Sequence, residues 1–592
     1  MARPVRIDHR DDLTLDDIVR AARGAPVEVE PATLELLDHR RADVEAYIRE
    51  TAEPAYGFNR GFGSNVRDRV AAEDLGPLQE NLIRSHAAGV GPPAPIEVVR
   101  ATMLLRAKSL AQGYSAVRSV LVSRLVDALN RGVTPLVPSL GSVSASGDLA
   151  PLSHVALGLM GEGEAFFGEP GATTPERLPA AEALARAGLE PLELEMKEGL
   201  ALNNGVQYST ALAALATHGM YRLVETATVA TALAAQVMLG ADTPFRQDLH
   251  RLRQHKGSAE VARAVLRLMS GSRLREAHRP FDIDGEIQDP YDLRCAAQIL
   301  GPCLELVWRS EQTIEIEAKS VTDNPVVLMA TKDSHIARES DFFGKYVEVV
   351  SGGHFHGMPI AVDVYGLIQA AAIIARLSNT RAQRYVDADR NKGLGPQLKW
   401  PGRVPPEEIS GIDAGARAEI ERRQSLQSSM MLAEYTSAGL VNWLWGQAMP
   451  SHLFSLSTDS GQEDHVSMAA NVALRAYEML PRLAELLAVE LAFAAQAAAI
   501  RKEMAAIPSR APREGSGDAK AIKEWHPLSP EERRLSDVSE AVLEVVGRHF
   551  PVVEADRPLA PDLARLATAV LDGEIVAAVE ATSDVFRDFR PA

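Results

Sequence analysis

Apolar side chains recur at intervals of three and four residues along most of the chain, with charged side chains between them. This period places the apolar residues on one face of a helix, whereas the alternation typical of strands is rare. Many of the apolar residues are alanines, which permit close helix packing. Helices are predicted at residues 95–131, 205–240, 292–320, 362–385, 424–445 and 466–505. The pattern indicates an all-α fold, a bundle of long helices.

Glycine, proline, asparagine and other polar residues are concentrated between these helices, in the kind of loop that often carries catalytic groups. Within the predicted bundle, residues 391–423 are charged and rich in proline and glycine, which indicates an insertion. Residues 506–520 have the composition of a linker. The polar loops cover residues 54–65, 134–153, 280–292, 351–361 and 450–468.

The order of these segments divides the chain into three consecutive parts. Residues 1–220 form an N-terminal region that contains the 134–153 loop. Residues 221–505 form the central bundle of long helices with its insertion, and residues 506–592 form the linker and a helical tail.

The composition is typical of a globular protein, with 46% hydrophobic and 24% charged residues among 592. A formal net charge of −18 without clustered Lys and Arg argues against a nucleic-acid partner. Cys295 and Cys303 lack the spacing of a disulfide framework or a zinc site. No signal peptide is evident, and the apolar runs at 366–377 and 477–500 are predicted to be core helices and not membrane spans. A cytoplasmic protein is expected.

Residues 138–154, PSLGSVSASGDLAPLSH, contain the triplet Ala145-Ser146-Gly147. In a tightly bent chain the backbone nitrogen of Gly147 can attack the carbonyl carbon of Ala145, and glycine allows such a bend. Loss of two waters, one carrying the Ser146 hydroxyl, leaves a five-membered ring with an exocyclic methylene, which is a strong electrophile. Asp148 is predicted to cap the following helix. Taken alone, such a triplet is more often a simple loop before a helix.

The whole segment resembles G-S-x-x-A-S-G-D-L-A-P-L-[SA]-H, a signature of the histidine, phenylalanine and tyrosine ammonia-lyases and aminomutases. Those enzymes use 4-methylideneimidazol-5-one (MIO), which forms autocatalytically from Ala-Ser-Gly. The resemblance implies the long-helix fold of that family and an MIO group made from this triplet, with no metal and no dissociable cofactor. Further matching motifs follow in order: YGFNRGFG at 56–63, LQENLIRSHAAGVG at 78–91, KEGLALNNG at 197–205, QDPYDLRC at 288–295, SVTDNP at 320–325, SGGHFHGMPIA at 351–361 and GQEDHVSMA at 461–469.

The resemblance assigns roles to three residues around this group. Tyr56 matches the base that removes the β-proton of the substrate, in a glycine-rich segment that suits a mobile lid. Asn204 matches the asparagine that holds the carbonyl oxygen of the electrophile. Phe355 matches the aromatic residue that shields the electrophile from solvent.

A second set of residues matches the substrate pocket of the family. Arg294 matches the residue whose planar guanidinium holds the substrate carboxylate through two hydrogen bonds. Gln288 and Tyr291 precede it in the same motif. The resemblance places both in the pocket, with Tyr291 among the catalytic residues.

His86 and Glu463 match the pair that faces the imidazole ring in the histidine ammonia-lyases. A carboxylate accepts an imidazole N–H, which gives a charge-assisted contact with a protonated ring. Tyrosine-acting relatives more often carry glutamine at the position of Glu463. The resemblance therefore favours L-histidine as the substrate and trans-urocanate as the product, with Glu463 among the catalytic residues.

Other activities stay open at this point. Tyrosine, phenylalanine or another bulky amino acid is an alternative substrate, because Arg60, Gly461 and the 391–423 insertion depart from the histidine-type pattern. A 2,3-aminomutase, which returns ammonia to the β-carbon, shares every residue named above. An inactive scaffold is disfavoured by the intact motifs. Further departures from the family motifs are Asn203, Val206 and His354.

The family forms homotetramers whose active sites take residues from three subunits. The resemblance implies the same assembly here, with a small-molecule amino acid as the ligand and neither nucleic acid nor membrane as a partner. His354 and His356 lack the further spacing of a metal site, and the sequence contains no HExxH motif.

Overall fold

The computed structural model describes residues 3–9, 13–51, 57–58, 71–172, 174–279, 288–329, 347–402, 414–509 and 524–590. Helices dominate these ranges. They are α1 (Leu15–Ala22), α2 (Pro31–Thr51), α3 (Leu75–His86), α4 (Ile96–Ala111), α5 (Ser119–Asn130), α6 (Leu149–Leu159), α7 (Ala180–Arg186), α8 (Glu198–Asn203), α9 (Gln207–Val237), α10 (Gln247–His250), α11 (Lys256–Leu268), α12 (Arg273–His278), α13 (Tyr291–Arg294), α14 (Ala296–Ala318), α15 (Met358–Val386), α16 (Ala414–Ser425), α17 (Met431–Gly446), α18 (Ala469–Glu503), α19 (Asp537–His549), α20 (Ala560–Asp572) and α21 (Glu574–Glu580).

The described strands are short and form small sheets of two or three strands. β1 and β2 pair in parallel, and the other pairs are antiparallel: β3 with β5, β8 with β9, β10 with β11, and β6 with both β4 and β7. The strands are β1 (Val5–Ile7), β2 (Val27–Val29), β3 (Val90–Pro93), β4 (Val133–Pro135), β5 (Pro138–Leu140), β6 (Glu164–Phe167), β7 (Glu176–Pro179), β8 (Val326–Met329), β9 (Val347–Val350), β10 (Ala506–Ser509) and β11 (Glu524–Pro527).

The chain divides into two compact units, each made of several segments. The first unit comprises Met1–His218, Arg309–Tyr365 and Pro450–Tyr477. The second comprises Gly219–Trp308, Gly366–Met449 and Glu478–Ala592. The three consecutive parts predicted from the sequence describe the order of elements along the chain and stay a prediction.

Several of the predicted helices are confirmed. The patterns over 205–240, 362–385 and 466–505 correspond to the single helices α9, α15 and α18. The tail contains α19, α20 and α21, as the prediction of a helical C-terminal part requires.

The prediction of one helix over 95–131 is wrong, because α4 ends at Ala111 and α5 begins at Ser119. Ala116, in the connection, has a φ of 53°, a left-handed conformation that a continuing α-helix excludes. The pattern over 424–445 is likewise divided between α16 and α17. Within the predicted insertion, α16 buries none of its side chains.

Small residues bring helix backbones into direct contact within the second unit. A Cβ atom at Gly257 on α11 would lie 2.2 Å from the carbonyl oxygen of Gly301 on α14. A Cβ atom at Gly301 would lie 2.3 Å from the backbone nitrogen of Ser258. Neither position can accept a side chain without separating the two helices.

The helices α15 and α18 are long and apolar enough to cross a membrane, with a mean hydropathy of 1.7 in an 18-residue window of each. Their most apolar windows are 56% and 83% buried inside the protein. A core helix passes the same test of length and composition, and burial of this extent is what the core-helix predictions for 366–377 and 477–500 require.

Glu225 on α9 gives a prediction for the pH dependence of stability. Its side chain is buried, and burial raises the pKa of its carboxyl to about 8, although Arg590 and Arg222 act in the opposite direction. A carboxyl whose pKa is raised by folding contributes to the free energy of unfolding. This contribution is complete below the unfolded pKa of about 4.5 and is lost as the pH rises to about 8. Glu225→Gln should therefore become more stable relative to wild type by about 1.4 kcal/mol per pH unit across that window.

Urea unfolding of wild type and Glu225→Gln between pH 5 and pH 9 measures this effect. Glu544→Gln is the control, because Glu544 lies on α19 with an exposed side chain. Its stability difference from wild type should be independent of pH. A Glu225→Gln difference that stays constant from pH 5 to pH 9 would contradict the prediction.

Candidate active site

The Ala145-Ser146-Gly147 triplet lies in the connection between β5 and α6. Gly147 has a φ of +81° and forms a parallel bridge with Gly205. A Cβ atom at Gly147 would lie 2.3 Å from the carbonyl oxygen of Gly205 and 2.4 Å from its nitrogen. The position thus requires glycine for two independent reasons, backbone conformation and space.

Asp148 occupies the N-cap position of α6, as predicted, but its side chain makes no capping hydrogen bond. Its Oδ1 accepts the hydroxyls of Ser142, Ser144 and Ser209 at 2.7, 2.8 and 2.8 Å, and its Oδ2 accepts the Ser209 N–H at 2.7 Å. Burial raises the pKa of the carboxyl, while these hydrogen bonds favour its ionised form. The carboxylate therefore anchors the triplet loop to α9. These serines were not identified from the sequence.

Asn204 follows α8 and its amide is directed at the triplet. Its Nδ2 donates to the carbonyl oxygen of Ser146 at 2.9 Å. A ring closed between Gly147 N and Ala145 C would retain this oxygen as its carbonyl. The residues present therefore fit the MIO group, with a glycine where nitrogen must attack and a donor on the oxygen that must be held.

Glu463 contacts the hydroxyl that cyclisation must remove. The Ser146 hydroxyl donates to Glu463 Oε1, and the Thr458 hydroxyl donates to Oε2 at 2.5 Å. A turn holds Glu463 in place, because the Thr458 N–H donates to the Glu463 carbonyl at 3.0 Å and Gly461 adopts a φ of +90°. Thr458 was not identified from the sequence, since no motif distinguishes it from other loop threonines.

His86 is the last residue of α3, and the charge of the Glu463 carboxylate acts on its imidazole. Burial lowers the pKa of its imidazole, whereas the Leu82 backbone and the charges of Asp459 and Glu463 act in the opposite direction. Its Nδ1 lies 3.0 Å from the Ser85 hydroxyl. The two residues that the sequence assigns to the substrate ring thus lie within range of each other's charge.

Phe355 lies in the segment before α15 and is half-buried. Two residues later, a Cβ atom at Gly357 would lie 3.1 Å from Ser144 Cβ, so this segment packs against the triplet loop. His356 Nε2 lies 3.0 Å from the His465 carbonyl oxygen. In the described part of the chain, no group of three or more His, Cys, Asp or Glu side chains could hold a metal ion.

The residues predicted for the substrate carboxylate belong to the second unit. Arg294 donates from Nε to the Asp289 carbonyl at 3.0 Å, and its guanidinium lies 4.9 Å from the centre of the Tyr291 ring. Asp292 fixes this segment by accepting Arg384 Nε and Nη2, each at 2.7 Å. Tyr291 is 67% exposed, and Gln288 is exposed as well.

A profile for aromatic amino acid lyases matches residues 13–525 of the chain. The chain belongs to the aromatic amino acid lyase family. It is 40% identical over 570 residues to a histidine ammonia-lyase from Gloeobacter violaceus, covering 96% of each chain. Its fold matches tyrosine aminomutase from Streptomyces globisporus with a TM-score of 0.80 at 30% identity, covering 98% and 99% of the two chains. It matches histidine ammonia-lyase from Trypanosoma cruzi with a TM-score of 0.77 at 28% identity, covering 100% and 96%.

These comparisons confirm the family, the lyase class and the long-helix fold predicted from the sequence. Tyr56 and Arg60 of this aromatic amino acid lyase lie outside the described residues. The neighbouring Phe58 is buried in a cluster with Val44, Ala116 and Val327. The predicted roles of the individual site residues stay predictions.

Proposed function

We propose that this protein eliminates ammonia from L-histidine and releases trans-urocanate. The observation that carries the proposal is the position of Glu463, whose carboxylate contacts the Ser146 hydroxyl while its charge acts on His86. An acidic group and an imidazole at one site provide an acceptor and a hydrogen-bonding partner for a substrate imidazole.

We propose that Ala145, Ser146 and Gly147 form the MIO group, held through its carbonyl oxygen by Asn204. This group, once formed, supplies the electrophile that makes the substrate amine a better leaving group. The residues of the chain do the remaining work. Tyr56 removes the β-proton as a general base, and Arg294 binds the substrate carboxylate. Phe355 excludes water from the reacting atoms.

The histidine ammonia-lyase of Gloeobacter violaceus, at 40% identity over nearly the whole chain, supports L-histidine as the substrate. The tyrosine aminomutase at a TM-score of 0.80 keeps a second activity open, the return of ammonia to the β-carbon. Both reactions use the same first steps. They differ in whether the unsaturated acid leaves the site before ammonia adds back.

An absorbance screen of the purified protein against L-histidine, L-tyrosine, L-phenylalanine and L-tryptophan tests the proposal. A conjugated acid should accumulate with L-histidine, and the Ser146→Ala variant should produce none. Accumulation with L-tyrosine alone would reject the substrate, and early appearance of a β-amino acid in a chiral separation would replace the lyase reaction by an aminomutase reaction.

We further propose a homotetramer with shared active sites. The support is the exposure of apolar side chains on α17, among them Leu432, Tyr435 and Trp445, and of Tyr291, which is predicted to line the pocket. Light scattering should give four chains. Coexpressed Ser146→Ala and Arg294→Ala chains should recover activity that neither variant has alone, because a mixed tetramer assembles some complete sites. Two inactive variants that give no activity together would exclude shared sites.

A further inference from the structure

Arg106 on α4 lies behind the segment that holds the triplet, and only 1% of its surface is exposed. Its Nη1 donates to the carbonyl oxygen of Asn204 at 2.8 Å and to Oε1 of Gln207 at 2.9 Å. Gln207 Nε2 donates in turn to the Thr322 hydroxyl at 2.7 Å. A chain of hydrogen bonds therefore ends on the backbone of the residue whose side chain binds Ser146.

This guanidinium has no carboxylate within ion-pairing distance in the described part of the chain. Asp323, whose charge acts on Arg106, instead accepts Lys197 Nζ at 2.9 and 3.0 Å. Burial lowers the pKa of Arg106 to about 10. Its Nε and Nη2 find no hydrogen-bond partner among the described residues. A buried cation with so few partners costs stability, so its position calls for another explanation.

Asn204 and Gly205 fill the space between Arg106 and the triplet and are in close contact with both. On one side, Asn204 Nδ2 binds the Ser146 carbonyl at 2.9 Å and the Gly205 carbonyl accepts the Asp148 N–H at 2.6 Å. On the other side, a Cβ atom at Gly205 would lie 2.5 Å from Arg106 Nη1. The segment cannot retreat from the triplet unless Arg106 moves.

We propose that Arg106 is a positioning residue for formation of the electrophile, which it supports by holding Asn204 and Gly205 against the triplet. This inference rests on the proposed MIO group. The reaction that it supports joins Gly147 N to Ala145 C. The Ala145 oxygen leaves as water with the hydrogens of the Gly147 and Ser146 nitrogens, and the Ser146 hydroxyl leaves as a second water with the hydrogen of its Cα.

Intact-mass spectrometry of protein made by cell-free synthesis, sampled over time, follows the loss of these two waters directly and without an activity assay. Arg106→Met removes a hydrogen bond from a charged donor. The release of the two waters should therefore be slower in this variant by about tenfold or more. Arg100→Met is the matched control. Arg100 lies on the same helix, is also buried, and among the described residues binds the backbone carbonyls of Ala21, Ala22 and Leu129. The Arg100→Met variant should be less stable than wild type and should lose the two waters at the wild-type rate.

Arg106→Lys, which keeps a donor and a charge, should mature at an intermediate rate. If circular dichroism shows that Arg106→Met does not fold, Arg106→Lys and Gln207→Leu test the positioning role instead. Both variants should lose the two waters more slowly than Arg100→Met. Wild-type maturation in the folded Arg106 variants, or equal slowing in Arg100→Met, overturns the positioning role. Wild-type protein that never loses two waters instead overturns the proposed function.

Discussion

Gly147→Ala should abolish formation of the electrophile and reduce ammonia release by a factor of about 1,000 or more. A methyl group at this position would lie 2.3 Å from the Gly205 carbonyl oxygen, and the φ of +81° is strained for alanine. Relief of either conflict moves the Gly147 nitrogen out of the bend from which it attacks Ala145. The measurements are the intact mass, which should show no loss of two waters, and urocanate absorbance with L-histidine.

Gly271→Ala is a close control for this variant. Gly271 has a φ of +80°, almost identical to that of Gly147, but a Cβ atom there would meet nothing within 4 Å. The substitution should cost about 1 kcal/mol of stability through backbone strain and leave the two-water loss complete. If Gly147→Ala matures as fully as Gly271→Ala, the tight bend is not needed for the chemistry.

Glu463→Gln should lower kcat/KM for L-histidine by about a hundredfold. The substitution keeps the size of the side chain and an acceptor for the Ser146 hydroxyl, but it removes the negative charge beside His86. Loss of a charge-assisted hydrogen bond costs about 1.5–3 kcal/mol. Steady-state kinetics with L-histidine and L-tyrosine should show selectivity shifting toward L-tyrosine.

Asp464→Asn serves as the control for charge, because Asp464 is the next residue and its side chain is exposed. Its kcat/KM for L-histidine should stay within about twofold of wild type. An equal loss of activity toward both amino acids in Glu463→Gln, together with an incomplete two-water loss, would assign Glu463 to formation of the electrophile and not to recognition of the substrate ring.

The sequence by itself predicts those features that depend on residues close together along the chain. The long helices α9, α15 and α18 follow from an apolar period that local backbone geometry enforces. The triplet chemistry could be stated because its three residues are consecutive. The family could be recognised because its motifs occur in order along one chain, and the profile match over residues 13–525 confirms it.

The tertiary structure determines contacts between residues far apart in sequence. Asp148 has the sequence signature of a helix cap, but burial makes it bind Ser209, 61 residues away, because a buried carboxylate needs all the donors within reach. The pairing of Ser146 with Glu463 spans 317 residues. The spacing of apolar residues along the chain does not predict such pairings.

The triplet and the long helices could thus be predicted from the sequence, because both depend on residues that lie close together along the chain. The clamp around the triplet, formed by Asn204, Asp148 and Glu463, and its support from Arg106 depend on how α4, α8 and α9 pack. Packing places backbone carbonyls and buried charges against one another, and those partners become visible only after the chain has folded.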